Sequence, residues 1–172
     1  MTRITKPPEE RRQEIIDTAM KVFYEKGYEK TSISDIARVM HVAQGLCYRY
    51  FSSKEELFDT ALDQYATLQV QRLCANMRQD MSLSELAANA PSFLETENDD
   101  SYAEKFYHDS GNAKFHWQLS LKVCEKLQPI VADFLRAAIA RGEIRLADPD
   151  TAASFFVYGQ LGILMDHTLP AQ

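Results

Sequence analysis

The residues of this chain with the types and spacing to do chemistry are gathered in one short run, Gln44 to Arg49, and that chemistry is hydrogen-bonded recognition. Gln44 carries an amide whose donor and acceptor can pair with a base edge. Gly45 lets a backbone come close to a partner, and Leu46 offers an apolar contact suited to a thymine methyl. Tyr48 and Arg49 share that face, whereas Val42, Cys47 and Phe51 fall on the opposite, core-facing side of the same helix. Covalent chemistry finds no comparable setting. His108, His116 and His167 are scattered, and Asp166 beside His167 lacks helix-face spacing. No nucleophile and base, paired carboxylates, metal-ligand cluster or glycine-rich phosphate loop stands out, so neither an enzyme nor a metal or cofactor is expected. Cys47, Cys74 and Cys124 are an odd number at wide spacing and read as reduced, mostly buried thiols.

The elements that must position this run are helices. Apolar residues recur at spacings of three and four, strand-like alternation is scarce, and the expected fold is all-α: an N-terminal helix-turn-helix head, residues 1–53, followed by a helical bundle, residues 54–172. The first helix starts at Pro8, where a missing N–H does no harm. It buries Ile15, Ile16, Ala19, Met20, Val22 and Phe23, and stops at Gly27 in a Schellman cap with Tyr28 folded back on Phe23. Ser32 and Asp35 are spaced as a capping box for a second helix from Ile33, with Ile36, Ala37 and Met40 inward; a third carries Gln44 to Tyr50. Ser53 and Glu56 form a second capping box, opening a fourth helix from Lys54 to about Arg78 with Leu57, Phe58, Ala61, Leu62, Tyr65 and Leu68 along one stripe. Further helices are expected near Leu83–Leu94, Tyr102–His108, Ala113–Leu127, Pro129–Arg141 and Pro149–His167, with an exposed loop at Glu95–Ser101.

Thr31-Ser-Ile-Ser-Asp-Ile-Ala37, Val42-Ala-Gln-Gly45-Leu-Cys-Tyr48-Arg-Tyr-Phe51 and Ser53-Lys54-Glu-Glu-Leu57 together resemble the DNA-binding head of the TetR (tetracycline-repressor-like) family of bacterial transcriptional regulators. With the first helix and its Gly27-Tyr28 stop, the resemblance covers about a third of the chain. It implies contacts to double-stranded DNA from Thr31, Ser32, Gln44, Gly45, Leu46, Tyr48, Arg49, Tyr50 and Lys54, with Tyr48, Tyr50 and Lys54 holding phosphates. A cation at a helix start suits that role, since backbone N–H groups and the helix dipole there also favour an anion. Two positions depart from the family pattern: His41 stands for the turn glycine, and Ala43 for the Ser or Thr cap. A residue at positive φ and a missing cap both weaken the turn, the cap by about 1 kcal/mol.

The head carries ten Lys or Arg against eight Asp or Glu through Glu55; the rest carries nine against seventeen, so a slightly basic head joins an acidic body in a chain of net charge −6. DNA affinity must then come from where the cations sit. In the body, Tyr65, Phe93, Phe106, Tyr107, Trp117, Phe155 and Tyr158 either line a ligand pocket or fill the core, and the resemblance implies a small-molecule effector. The last helix is apolar on nearly all sides and needs partners on two. A second subunit supplies one, through Phe156, Gly159, Gly162 and Ile163, which gives an expected homodimer on a near-palindromic operator. Neither the first ten residues nor any later run has the apolar length of a signal or a membrane span, so a cytoplasmic protein without a membrane partner is expected. The competing reading is a helical interaction module whose head meets protein instead of DNA.

Overall fold

Pro7 and Pro8 pre-set the backbone for a helix, Glu9 and Glu10 complement its dipole, and the first regular element accordingly begins at Pro8. The structure is a computed structural model that describes residues 6–78, 80–89 and 113–164. Among these residues every regular element is a helix: α1 (Pro8–Lys26), α2 (Ile33–Val39), α3 (Gln44–Tyr48), α4 (Lys54–Leu73), α5 (Leu83–Asn89), α6 (Ala113–Ala140) and α7 (Pro149–Leu164). The expected helix at Tyr102–His108 and the loop at Glu95–Ser101 lie outside the described residues. Two compact units divide the chain, Met1–Tyr65 with Phe106–Trp117 and Ala66–Lys105 with Gln118–Gln172.

The first unit is built on α1, whose six predicted apolar residues are all buried. Gly27 has φ 79° and ψ 156°, a combination only glycine adopts readily, but its ψ is not the left-handed helical value a Schellman cap requires. The chain therefore leaves α1 extended. Tyr28 still reaches Phe23, with ring centroids 5.8 Å apart, and packs against Phe58 at 4.5 Å; Phe58 stands edge-on to Phe23 at 5.0 Å and meets Phe115 at 5.9 Å. Rings so arranged add about 0.5–1.5 kcal/mol per pair to the burial itself.

Helix α4 begins at Lys54 as its sequence implies, with Leu57, Phe58, Ala61 and Leu62 buried. The buried stripe then continues through Ala66 and Val70, while Leu68 is 45% exposed. The helix ends at Leu73, short of the expected Arg78, because i→i−3 bonds from Ala75 to Arg72 and from Met77 to Cys74 tighten the chain into turns. At its start, Ser53 Oγ accepts the Glu56 N–H at 3.0 Å, but the Glu56 carboxylate accepts from the N–H and hydroxyl of Ser52, one residue before the expected arm of the box.

In the second unit α6 runs unbroken through Pro129, where two helices were expected. A proline inside a helix removes one i→i−4 bond at a cost of about 3 kcal/mol. Here Pro129 and Glu125, whose carbonyl loses that bond, are both exposed, so water can serve the freed group, while buried Leu119, Val123, Phe134 and Ala138 keep the helical period on either side. The Schellman bonds absent at Gly27 occur at the end of this helix: Gly142, φ 76°, donates to Ile139 and Glu143 donates to Ala138, both at 3.0 Å. Cys124 of α6 packs with Val157 and Leu161 of α7, flanked by Leu121, Leu127 and Val131. Asp148 caps α7 by accepting the N–H groups of Asp150 and Thr151, and Arg136 bridges Asp133 and Asp150. Among the described residues no helix is long and apolar enough to cross a membrane.

Candidate nucleic-acid interface

Helix α3 is held from one side only. Cys47 and, just past the helix end, Phe51 are fully buried, and the Arg12 guanidinium caps the Phe51 ring at 5.0 Å. Burial pushes the Cys47 thiol upward, away from reactive thiolate character. Gln44, Gly45 and Arg49 are exposed, Tyr48 is 49% exposed, and Leu46 and Tyr50 are half-buried. A Cβ built on Gly45 meets nothing within 4 Å, so the protein's own packing does not require glycine there. The predicted division of this helix into a core face and an open face is therefore observed.

The turn that presents α3 has both predicted weaknesses. His41 is the described non-glycine residue with positive φ, at 56°, and Ala43 gives no side-chain cap. The backbone compensates: Val42 N–H donates to Ala37 at 3.0 Å and His41 N–H to Arg38 at 3.1 Å. Helix α3 closes at Tyr48, with Tyr50 and Phe51 both donating to the Cys47 carbonyl, two residues before the expected end.

Helix α2 takes both arms of the Ser32–Asp35 capping box. The Ser32 hydroxyl and N–H, helped by Lys26 and Arg38, hold the Asp35 carboxyl at about 2. Two of the expected DNA contacts, Thr31 and Ser32, take part in this arrangement. Thr31 is buried, its hydroxyl donating to the Gly27 carbonyl at 2.8 Å, so it joins the end of α1 to the start of α2. Ser32 is exposed, but its hydroxyl is engaged in the box, accepting from the Asp35 N–H and donating to the Asp35 carboxylate.

Most cations of the head are committed internally. Lys6 and Arg11 pair with Glu14, Lys21 lies near Glu25, and Lys26 and Arg38 share Asp35. Lys30 and Arg49 are exposed and make no ion pair among the described residues. Lys30 is not among the predicted contacts; its lack of an ion pair among the described residues, invisible in a sequence, sets it apart from Lys21, Lys26 and Arg38, which are also exposed. Lys54 is half-buried at the first position of α4, where its ammonium donates to the Tyr28 carbonyl at 3.0 Å and lies 4.1 Å from the Tyr28 ring centroid.

Residues 15–61, from the middle of α1 into α4, match the family of bacterial regulatory proteins described as the tetR family. That segment is the helix-turn-helix head of the TetR family. It is 43% identical over 56 residues to the transcriptional regulator YuxN of Bacillus subtilis, covering 33% of this chain and 19% of that protein. It is 49% identical over 49 residues to the regulator HbdR of Aromatoleum sp. strain CIB, covering 28% of this chain and 21% of that protein. The matched part thus spans about a fifth of the length of these curated relatives. Beyond the head, likeness is one of fold. Reduced NemR of E. coli superposes with a TM-score of 0.65 at 16% identity, over 92% of this chain and 88% of that one. FadR of Bacillus subtilis, in complex with stearoyl-CoA, gives 0.56 at 20% identity over 87% and 82%.

The body places its predicted residues unevenly. Tyr65 is half-buried and Trp117 is 45% exposed, both in the first unit; Phe155 and Tyr158, in the second, are 82% and 38% exposed. Phe155 is highly exposed because α7 turns Ala153, Val157 and Leu161 inward and Phe155 falls on the opposite face. Phe156, 57% exposed, and Gly159 share that outer face. Phe93, Phe106 and Tyr107 lie outside the described residues, as do the side-chain surroundings of Gly162 and Ile163. An open depression of about 550 Å³, lined by Ile139, Gly142, Ile144, Arg145, Leu146 and Ala147, contains none of the predicted pocket residues.

Proposed function

We propose that the protein is a DNA-binding transcriptional regulator, a ligand-responsive repressor that binds a near-palindromic operator as a homodimer in the cytoplasm. The observation that carries this reading is the α3 surface. An amide, a glycine with open space above it, a phenol and an unpaired guanidinium project from a helix whose other side is fully buried. In a major groove Gln44 and Arg49 read base edges, while Tyr48, Tyr50 and Lys54 hold phosphates. The exposed apolar face of α7, with Phe155, Phe156 and Tyr158, supports pairing of two chains. The stearoyl-CoA in the FadR structure supports a body that takes up a small molecule.

Selection of bound duplexes from a random pool tests the proposal. The expected result is enrichment of a site with two related half-sites whose spacing follows the two-fold symmetry of the dimer. A pool that stays random after repeated rounds contradicts it.

A further inference from the structure

We propose that Tyr28 is a positioning residue for DNA binding: through its backbone carbonyl and ring face it holds the Lys54 ammonium in place for a phosphate. The inference rests on the DNA-binding reading above and adds to it a residue remote in sequence from the recognition helix.

The contact has two parts, both within the first unit. The Tyr28 carbonyl accepts the Thr31 N–H at 3.2 Å and the Lys54 ammonium at 3.0 Å, which occupies both of its lone pairs. The ring then faces the same cation, with Nζ 4.1 Å from its centroid, well inside the range of attraction between a cation and an aromatic face. Tyr28 itself is fixed, since its ring packs at 4.5 Å on Phe58 and 5.8 Å on Phe23, and the Gly27 backbone conformation sets where the residue leaves α1.

A lysine normally gives up much rotamer freedom when it grips a phosphate. One already held against a rigid ring gives up less, so the contact contributes affinity through preorganisation. The carbonyl takes one of the three ammonium donors, leaving others for a phosphate oxygen. Lys54 is also the first residue of α4, so a phosphate it holds meets the N-terminal end of a helix of 20 residues.

A double-mutant cycle on operator binding tests the inference. Tyr28→Leu removes the ring and keeps the carbonyl; its affinity should fall about twofold to fivefold per protomer, while Tyr28→Phe stays at the wild-type value. In a Lys54→Met background, Tyr28→Leu should have no further effect. An equal loss in both backgrounds, no loss, or tighter binding overturns the inference, as does a Tyr28→Phe variant as weak as Tyr28→Leu. A second measurement needs no variant. The ring current should shift the Lys54 ε-methylene protons upfield in the NMR spectrum of the free full-length protein and of its operator complex, and disappearance of that shift on binding overturns the inference. Wild-type protein that binds no duplex is a failure of the functional reading; additivity in the cycle is a failure of this inference alone.

Discussion

Gln44 and Thr31 sit in the same helix-turn-helix in opposite surroundings. Gln44 is exposed, and Gln44→Ala should relax base preference at a few operator positions, at a cost of about 1–3 kcal/mol in discrimination, checked by repeating the duplex selection with the variant. Thr31 is buried, so Thr31→Val should cost about 1 kcal/mol of stability in thermal unfolding and leave operator preference unchanged. Gly45 separates folding from binding. With open space around its missing Cβ, Gly45→Ala should stabilise the fold by about 0.5–1 kcal/mol, yet weaken binding to DNA by holding the backbone away from the groove. Wild-type affinity in that variant would mean that α3 does not approach DNA closely. Sequence could name Thr31 as part of a pattern but not say where its hydroxyl points. That depends on the Gly27 carbonyl, placed by a φ, ψ pair that only three-dimensional packing selects.

The short helices were legible because their signals are local. Ser32 and Asp35 announce a capping box, Ala43 its absence, and His41 the strained turn, and each has the predicted geometry. What was not legible is decided by burial and by distant partners. Helix α6 continues through Pro129 because apolar contacts on both sides outweigh a local breaker, and Lys54 finds a partner 26 positions away. The Asp35 carboxyl makes the α2 start sensitive to acid. Its folded value of about 2 lies below the ordinary 3.8, so its stabilisation is complete above 3.8 and is lost as the pH falls towards 2. Asp35→Asn should remove that portion of the pH dependence in acid unfolding followed by circular dichroism. An unchanged profile would show that the box contributes nothing to stability.

The molecule as a whole must join its heads if it is to read a two-fold site, and α7 offers a surface for doing so. Phe155, Phe156 and Tyr158 leave an apolar face open on a helix whose other side already packs against α6. Phe156→Asp should shift sedimentation from dimer to monomer at micromolar concentration and preserve helical content. A variant that remains dimeric would place the interface elsewhere. The net charge of −6 is compatible with DNA binding because the head through Glu55 carries a slight positive excess while the rest of the chain is acidic, and because Lys30 and Arg49 are left uncommitted while most head cations are paired internally. The measurement that tests DNA recognition most directly is the affinity of the wild-type protein for its selected operator and for a scrambled duplex across a range of salt concentrations. Operator binding should be about a thousandfold tighter or more, and affinity should fall steeply and linearly on a log–log scale as phosphate contacts are screened. Equal affinity for the two duplexes, or binding indifferent to salt, would contradict it.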